Sequence, residues 1–394
     1  MSTDLNYILS PKCIRDGAKK VFDETVKGGT HFRYHEEKFS PTVDYVMETI
    51  RQNYPDLKIP FHSRWGHFRP GGVDRSKWLL EKIKNEDAME RARIMWDLVI
   101  PSVLLDAGAG KDWKFSEKET NKNYDRSEGL GVASYHMFMA GAFSSDGKSL
   151  RSDAKGLQSV TAAKIAEAFQ VSATNPLVGV EGRTKLLQNL GKAMENKALF
   201  QDGRPGNLID YLVGKYGKTI PAEGLLRGVL DGLGPIWPGR ETLDGTNLGD
   251  VWRHSKLGLI AFHKLSQWMT YSLVEPLNEA GITVTGAEGL TGLAEYRNGG
   301  LLIDSGLISF SNPEEGKQSW RPESDLIIEW RALTVYLLDR IGEEVQKRLG
   351  KTPQEFPLAK VLEGGTWWAG RRIAKEKRPG GEPPMNIISD GTVF

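Results

Sequence analysis

Cysteine is almost absent from this chain of 394 residues, because Cys13 is the single one. One cysteine cannot close an internal disulfide, which suits a reducing compartment, and it excludes zinc centres built from thiolate clusters. The seven histidines do not provide the His-Glu-x-x-His spacing of zinc hydrolases. The sequence therefore predicts no metal site, and nothing in it calls for another cofactor.

Long apolar runs and an excess of either charge are also missing. No run approaches the roughly 18 residues that a membrane span needs, and the start of the chain lacks the basic and apolar regions of a signal peptide. With 52 basic and 51 acidic residues, bulk charge does not favour a nucleic-acid or membrane partner. We expect a cytoplasmic protein that acts on a small molecule, and the oligomeric state stays open.

Three common catalytic motifs are absent as well. The glycine-rich residues 106–111 lack the spacing of a phosphate-binding loop, and Asp112 stands where that loop has Ser or Thr. No Gly-x-Ser-x-Gly elbow and no dinucleotide fingerprint after a strand occurs. These absences weigh against P-loop, serine-hydrolase and Rossmann chemistry.

Helical periodicity is what the chain has in abundance. A period of 3.6 predicts helices over residues 12–26, 42–54, 87–105, 159–169, 177–194, 207–213, 222–230 and 323–349. The apolar residues 251–277 predict one long helix or a helix pair. No linker interrupts the composition, so we expect a mainly α protein with a single domain over 1–394, in which 1–150 is a candidate subdomain.

Two acid-aromatic-base triplets stand near the centre of the second half of the chain. They are Glu295-Tyr296-Arg297 and Glu329-Trp330-Arg331. In the predicted helix 323–349, Glu329 and Arg331 fall on the two borders of the apolar stripe, where charges are half-buried and need partners. Each triplet could hold a polar ring-bearing ligand, and each could equally be a structural ion pair.

Two further stretches carry polar groups among apolar ones. Three polar residues, His263, Lys264 and Gln267, interrupt an apolar stripe. Lys264 and Gln267 share one helical face. That face either lines a cavity or lies at a helix end on the surface. The loop 59–72, which includes His62 and Arg69, is dense in His, Arg and aromatic residues. It could clamp an anion or a sugar, or simply pack as a surface loop.

Carboxylates in an arginine-lined aromatic pocket allow glycosidic bond cleavage. One acid stabilises an oxocarbenium-like transition state or activates water, while the other protonates the leaving group. Arginine and lysine side chains would hold a 5′-phosphate. If both triplets are only ion pairs that pack helices together, the chain lacks these carboxylates for glycosidic bond cleavage.

The chain resembles the uracil catabolism protein 4 family of fungi and bacteria over essentially its whole length. The resemblance rests on residues 59–65, 131–134, 262–268, 293–300 and 389–394. It implies a step in a uracil-degrading route that passes through UMP and a ring-opened ribosylurea, whose glycosidic bond must break to release urea.

A more distant resemblance is to the queuosine 5′-phosphate nucleosidase (queuosine salvage) family, an α-helical fold related to DNA glycosylases. It rests on short patches in one order along the chain, at residues 159–161, 175–178 with Arg183 and Leu187, Phe262 with Lys264 and Gln267, 293–297, 328–331 and Trp368. The chain departs from that pattern at Glu295, at residues 298–300 and at Ala369. The resemblance is therefore a safer guide to the fold of this chain than to its substrate.

Together these resemblances imply a metal-independent N-glycosidase that hydrolyses ribosylurea or its 5′-phosphate to urea and the sugar. Glu295 and Glu329 are the predicted catalytic acids, with Glu329 also a candidate to orient Arg297. The predicted substrate contacts are Tyr296, Arg297, Arg331, Lys264, Gln267, His263 and Trp368. The alternative is a non-catalytic ligand-binding or scaffold protein of the same pathway.

Overall fold

The computed structural model describes residues 4–106, 108–237 and 240–388, and most of them lie in helices, so the mainly α prediction is confirmed. The motif at residues 389–394 lies outside this described part. The α-helices are α1 (Leu5–Ile8), α2 (Pro11–Val26), α3 (Phe39–Asn53), α4 (Arg75–Lys82), α5 (Ala88–Leu104), α6 (Arg126–Met139), α7 (Ala154–Gln158), α8 (Ala162–Ala168), α9 (Val180–Ala193), α10 (Leu208–Tyr216), α11 (Ala222–Leu233), α12 (Lys264–Glu279), α13 (Tyr296–Asp304), α14 (Asp325–Leu349), α15 (Leu358–Val361) and α16 (Trp367–Lys377).

Short strands form two-stranded pairs between the helices. The strands are β1 (Phe32–Tyr34), β2 (Lys114–Glu117), β3 (Lys122–Asp125), β4 (Thr219–Pro221), β5 (Thr242–Leu243), β6 (Thr246–Asn247), β7 (Val251–His254), β8 (Gly258–Ala261), β9 (Thr283–Thr285), β10 (Ile308–Phe310), β11 (Ser319–Trp320) and β12 (Asn386–Ile387). Pairs β1–β10, β2–β3, β5–β6 and β7–β8 are antiparallel, and β4–β9 and β11–β12 are parallel. None of the described helices is long and apolar enough to cross a membrane.

The described residues fall into two compact units. The first comprises the described parts of Met1–His62, Arg240–Gln267 and Gly286–Ser389, and the second those of Ser63–Gly239 and Trp268–Thr285. Both units are discontinuous in sequence. The expectation of one domain over the whole chain stays a prediction.

Helix α2 illustrates why the periodic segments fold as expected. Ser10 accepts a hydrogen bond from the Cys13 amide, and Pro11 occupies the first helical position, where a missing N–H costs little. The predicted apolar stripe, which includes Ile14 and Val21, is buried. In the first unit this face packs against α14, whose own apolar stripe is buried as predicted.

The prediction of a helix throughout residues 251–277 is wrong in its first part. Strands β7 and β8 form a hairpin there, with Val251 opposite Ala261, and α12 begins only at Lys264. Gly258 has a φ of 78°, which a helix cannot accommodate and a tight turn requires. The apolar run is therefore two half-buried strands followed by a helix, which periodicity alone does not separate.

The second unit buries Arg64 and Trp65 of the loop after residue 62. The Arg64 guanidinium donates to Asp106 at 2.5 Å and to Ser102 at 2.7 Å, and Trp65 is fully buried. Its α5 ends at Leu104, one residue before the predicted end at 105. Residues 64 and 65 are therefore packing residues of this unit and not a surface clamp.

Glycine allows α13 to approach its neighbours closely in the first unit. A Cβ at Gly370 of α16 would lie 2.2 Å from the carbonyl oxygen of Arg297, and one at Gly299 would lie 2.7 Å from the Trp330 ring. The Trp330 indole donates to the Gly299 carbonyl at 3.0 Å. Helix α13 is thus held between α14 and α16 by contacts that a larger residue would disrupt.

We expect Gly370→Ala to destabilise the protein by about 2 kcal/mol, because the added methyl group overlaps the backbone of α13. The matched control is Gly182→Ala in α9, where a Cβ would meet no atom within 4 Å. That variant removes a helical glycine without a clash and should be neutral or slightly stabilising. Chemical denaturation measures both, and equal effects of the two substitutions would contradict this packing.

Candidate functional site

The carboxylate of Glu295 lies at the amino-terminal end of α13. Residue 295 is in an extended conformation, and its Oε2 and Oε1 accept hydrogen bonds from the amides of Arg297 at 2.7 Å and Asn298 at 2.5 Å. The positive end of the helix dipole lies at the same place. Glu295 is therefore the helix cap, a structural role that coexists with any catalytic one.

Glu295 is only partly exposed, and protein atoms surround it on most sides. Burial raises the pKa of its carboxyl group, against the lowering effect of the two amides and of the charges of Lys264 and His62. A partly exposed carboxyl group with a raised pKa is a candidate for acid–base chemistry, and we call the surroundings of Glu295 the Glu295 recess. The structure thus brings two predicted residues, Glu295 and Lys264, together with His62.

His62 is held in place by a carboxylate that the sequence did not reveal. Its Nδ1 lies 2.7 Å from Oε2 of Glu363, and the Tyr54 hydroxyl donates to the other oxygen at 3.2 Å. Glu363 belongs to one π-helical turn, Leu362–Thr366, a feature that is frequent at functional sites. The imidazole is buried and lies against Trp367, with ring centroids 5.5 Å apart.

Arg331 is paired with an acid from outside both triplets. Its two terminal nitrogens donate to Asp250 at 2.8 and 2.7 Å, and Trp252 donates to the same carboxylate at 2.6 Å. Burial favours a raised pKa for Asp250, but Arg331 more than offsets this effect and holds that pKa well below its usual range. Asp250 also accepts from the Lys264 amide at 2.9 Å and so fixes the start of α12.

Glu329 lies between two histidines. Its Oε2 accepts from the His31 amide and faces His31 Nδ1, both at 2.8 Å, and its Oε1 lies 3.1 Å from His254 Nε2. His254 Nδ1 accepts two backbone amides, so Nε2 carries the proton and donates to Glu329. These bonds are to histidine and not to Arg297. Glu329 and Arg331 are 2% and 1% exposed, so the expectation that they are half-buried is wrong.

The other predicted contacts occupy different surroundings. Arg297 is buried, donates to the Gly381 carbonyl at 2.7 Å and lies 4.9 Å from the centroid of the Tyr296 ring. His263, at a φ of 46°, lies next to the Lys264 end of α12, and its Nε2 is 3.0 Å from the Ile8 carbonyl. Burial lowers the pKa of His263, which keeps the ring neutral. His263 therefore has a structural partner that fixes its ring.

Gln267 and Trp368 differ sharply in accessibility. Gln267 is fully buried, its Oε1 lies 3.4 Å from the Thr291 amide, and its Nε2 finds no hydrogen-bond partner among the described residues. A buried amide nitrogen of this kind usually meets water or a ligand. Trp368 instead lines an open cleft with Arg371 and Lys375. The roles predicted for both residues stay predictions.

Three potential metal ligands meet in the second unit, which the sequence did not suggest. Within the described ranges, ligand atoms of Glu117, Glu119 and His136 lie within 4.8 Å of one another. Arg75 occupies both Glu117 oxygens, through Nε at 2.6 Å and through Nη2. Burial favours a raised pKa for Glu117, but the bond to Arg75 and other hydrogen bonds lower it to about 2. We interpret this group as a buried ion pair.

Sequence reasoning missed Asp250, Glu363 and the role of His62. Glu363 is 301 residues from His62 and Asp250 is 81 residues from Arg331, so no local spacing connects them. The dense loop that contains His62 was one usable signal. Asp250 directly precedes the β7–β8 hairpin, and the sequence does not distinguish it from an ordinary turn residue.

Comparisons with known proteins agree along the full chain. The family model described as "Protein of unknown function (DUF1688)" matches residues 7–394. The chain is 38% identical to Uracil catabolism protein 4 of Lachancea kluyveri, over 99% of this chain and 99% of that protein. It is 39% identical to Protein urg3 of Schizosaccharomyces pombe, over 100% of each chain. The resemblance to the uracil catabolism protein 4 family is thereby confirmed, and the chain belongs to the DUF1688 family.

Proposed function

We propose that this protein is an N-glycosidase of uracil catabolism that hydrolyses ribosylurea or its 5′-phosphate to urea and the sugar. The observation that carries the proposal is the recessed Glu295 carboxyl, whose pKa burial raises while Lys264 and His62 oppose the rise. A relative that shares 38% of its residues is named for uracil catabolism, which supports the pathway. The resemblance to queuosine 5′-phosphate nucleosidases supports glycosidic chemistry on a related fold.

Glu295 is suited to activate the water that attacks the sugar. As a carboxylate it takes a proton from water while the water oxygen bonds to the anomeric carbon, and its charge stabilises the oxocarbenium-like transition state. A raised pKa makes it a stronger base near neutral pH. Lys264 favours the ionised form, which is the form that accepts the proton.

His62 is suited to protonate the leaving group. As the carbon–nitrogen bond breaks, the imidazolium gives its proton to the departing urea nitrogen. The proton that Glu295 took from water then passes to His62, which returns both side chains to their starting protonation states. Glu363 bonds Nδ1 and fixes the ring, which is how a carboxylate usually orients a catalytic histidine. Glu329, predicted as the second acid, has two histidine partners of its own and is suited to a supporting role.

The cations available for a phosphate are fewer than the sequence suggested. Arg331 directs both terminal nitrogens at Asp250, and Arg297 donates to the Gly381 carbonyl. Lys264 is the cation whose charge acts on Glu295. We therefore expect Lys264 to contact the sugar or its phosphate, with Arg331 and Arg297 holding the walls of the site.

Glu295→Gln should lower kcat/KM for urea release from ribosylurea by about 100- to 10,000-fold, because the amide cannot accept a proton from water. Gln keeps one carbonyl oxygen for the helix cap, so the fold should survive. The matched control is Glu343→Gln, an exposed position on α14. Urea is quantified with ribosylurea and with its 5′-phosphate as substrates. Full activity of Glu295→Gln would exclude the central role, and tight binding without product in the parent would favour the non-catalytic alternative.

The same variant should become relatively more stable as pH rises. Because burial raises the folded-state pKa of Glu295 above the ordinary 4.5, its contribution to stability is present below pH 4.5 and is lost as pH rises through the folded-state pKa. Gln does not ionise and avoids that loss. The Tm of Glu295→Gln minus that of the parent should increase from about pH 4.5 to about pH 8 by calorimetry. A difference that stays flat or falls would show that the carboxyl is not destabilised by burial.

His62→Gln should lower kcat by about 100-fold or more, because the proton donor is lost. Glu363→Gln should lower kcat less, since it acts only through His62. Glu329→Gln should instead lower Tm with a smaller effect on kcat, and His35→Gln, a partly exposed histidine, serves as the control. An unchanged kcat in His62→Gln would assign the proton donor to another residue.

A further inference from the structure

An open cleft of about 400 Å³ lies on the outer face of α16 in the first unit. Trp368, Arg371, Arg372 and Lys375 line one wall, at positions i, i+3, i+4 and i+7, which share one face of a helix. The end of α3 contributes the opposite wall. The volume of the cleft lies in the range of small-molecule binding sites. Glu295 does not line it.

A cation–aromatic layer reaches this α16 cleft through Trp368 and Arg371. The guanidinium of Arg371 lies 4.8 Å from the centroid of the Trp367 ring and 5.0 Å from that of Trp368. The two indoles meet edge to face, with centroids 4.9 Å apart. Flat rings stack readily on indole and guanidinium planes. The layer is therefore suited to a planar ligand.

The charges in the cleft are not all available to a ligand. Arg372 bonds Glu48 at 3.1 Å and Glu376 at 3.0 Å, so its charge is largely balanced within the protein. Lys375 is exposed and makes no ion pair or hydrogen bond with the described residues. Lys375 therefore offers a positive charge to a ligand, although the whole chain has a net charge of only +1.

An amide completes the set of groups. The side chain of Asn53, at the end of α3, lines the cleft, is exposed, and likewise has no side-chain partner among the residues described. An amide offers both a donor and an acceptor, which is what the edge of a nucleobase presents. Ring layer, cation and amide thus occur together in one cavity.

We propose that the α16 cleft is a second ligand site, which binds a phosphorylated ring-bearing metabolite of the nucleoside monophosphate class. The base stacks on the Trp368 and Arg371 layer, its edge meets Asn53, and the phosphate is held by Lys375. The site is separate from the Glu295 recess and does not depend on the proposed reaction. Arg371 also contacts Trp367, and Trp367 packs on His62. Trp367 is therefore the residue that connects the cleft to the imidazole.

Calorimetric titration of the full chain with UMP, uridine and inorganic phosphate tests this site. UMP should bind more tightly than uridine or phosphate alone, and added salt should weaken it. Lys375→Gln should weaken UMP binding about tenfold, which corresponds to about 1.4 kcal/mol. The matched control, Lys377→Gln, changes an exposed lysine of the same helix that does not line the cleft and should bind as the parent does.

The same titrations on Glu295→Gln and Trp368→Leu separate the two sites. The cleft predicts that Glu295→Gln keeps UMP binding and Trp368→Leu loses most of it. The proposal is overturned if the parent does not bind UMP, if Lys377→Gln weakens binding as much as Lys375→Gln, or if binding depends on Glu295 and not on Lys375. None of these outcomes bears on urea release, so failure here is distinguishable from failure of the proposed reaction.

Discussion

Burial of the Glu295 carboxyl at the start of α13 is the constraint on which the proposed site depends. Removing a carboxylate from water costs free energy unless donors and cations replace the water. Here two backbone amides replace part of it, and Lys264 and His62 supply charge. Glycines at 299 and 370 let α14 and α16 approach closely enough to hold α13 in place. The same contacts that fix the cap therefore also limit the exposure of its carboxyl group.

Two other acids, the half-buried Asp250 and the buried Glu329, connect elements of the first unit. Asp250 joins Arg331, Trp252 and the first amide of α12, and Glu329 joins His31 and His254. Breaking one partner of such a pair leaves a buried charge uncompensated, which is strongly destabilising. The second triplet thus makes structural contacts and does not repeat the arrangement at Glu295. It orients α12, which carries Lys264.

The sequence predicted the parts of this molecule that depend on local pattern. Periodicity located α2 and α14, and the short-range triplet drew attention to Glu295. Residues 251–261 were predicted as helix because a short apolar run has no distinguishing period, while Gly258 at positive φ makes a hairpin. The partnerships of His62 with Glu363 and of Glu329 with His31 join residues 301 and 298 apart. Only tertiary packing determines such pairs.

The most direct measurement is a crystal structure of the Glu295→Gln variant with ribosylurea bound. The account predicts the anomeric carbon beside residue 295, with room for one water between them, and the ureido nitrogen within hydrogen-bond reach of His62. Lys264 should contact the sugar. Ribosylurea bound away from residue 295, or bound with its ureido group remote from His62, would contradict the assignment of this recess as a glycosidase site.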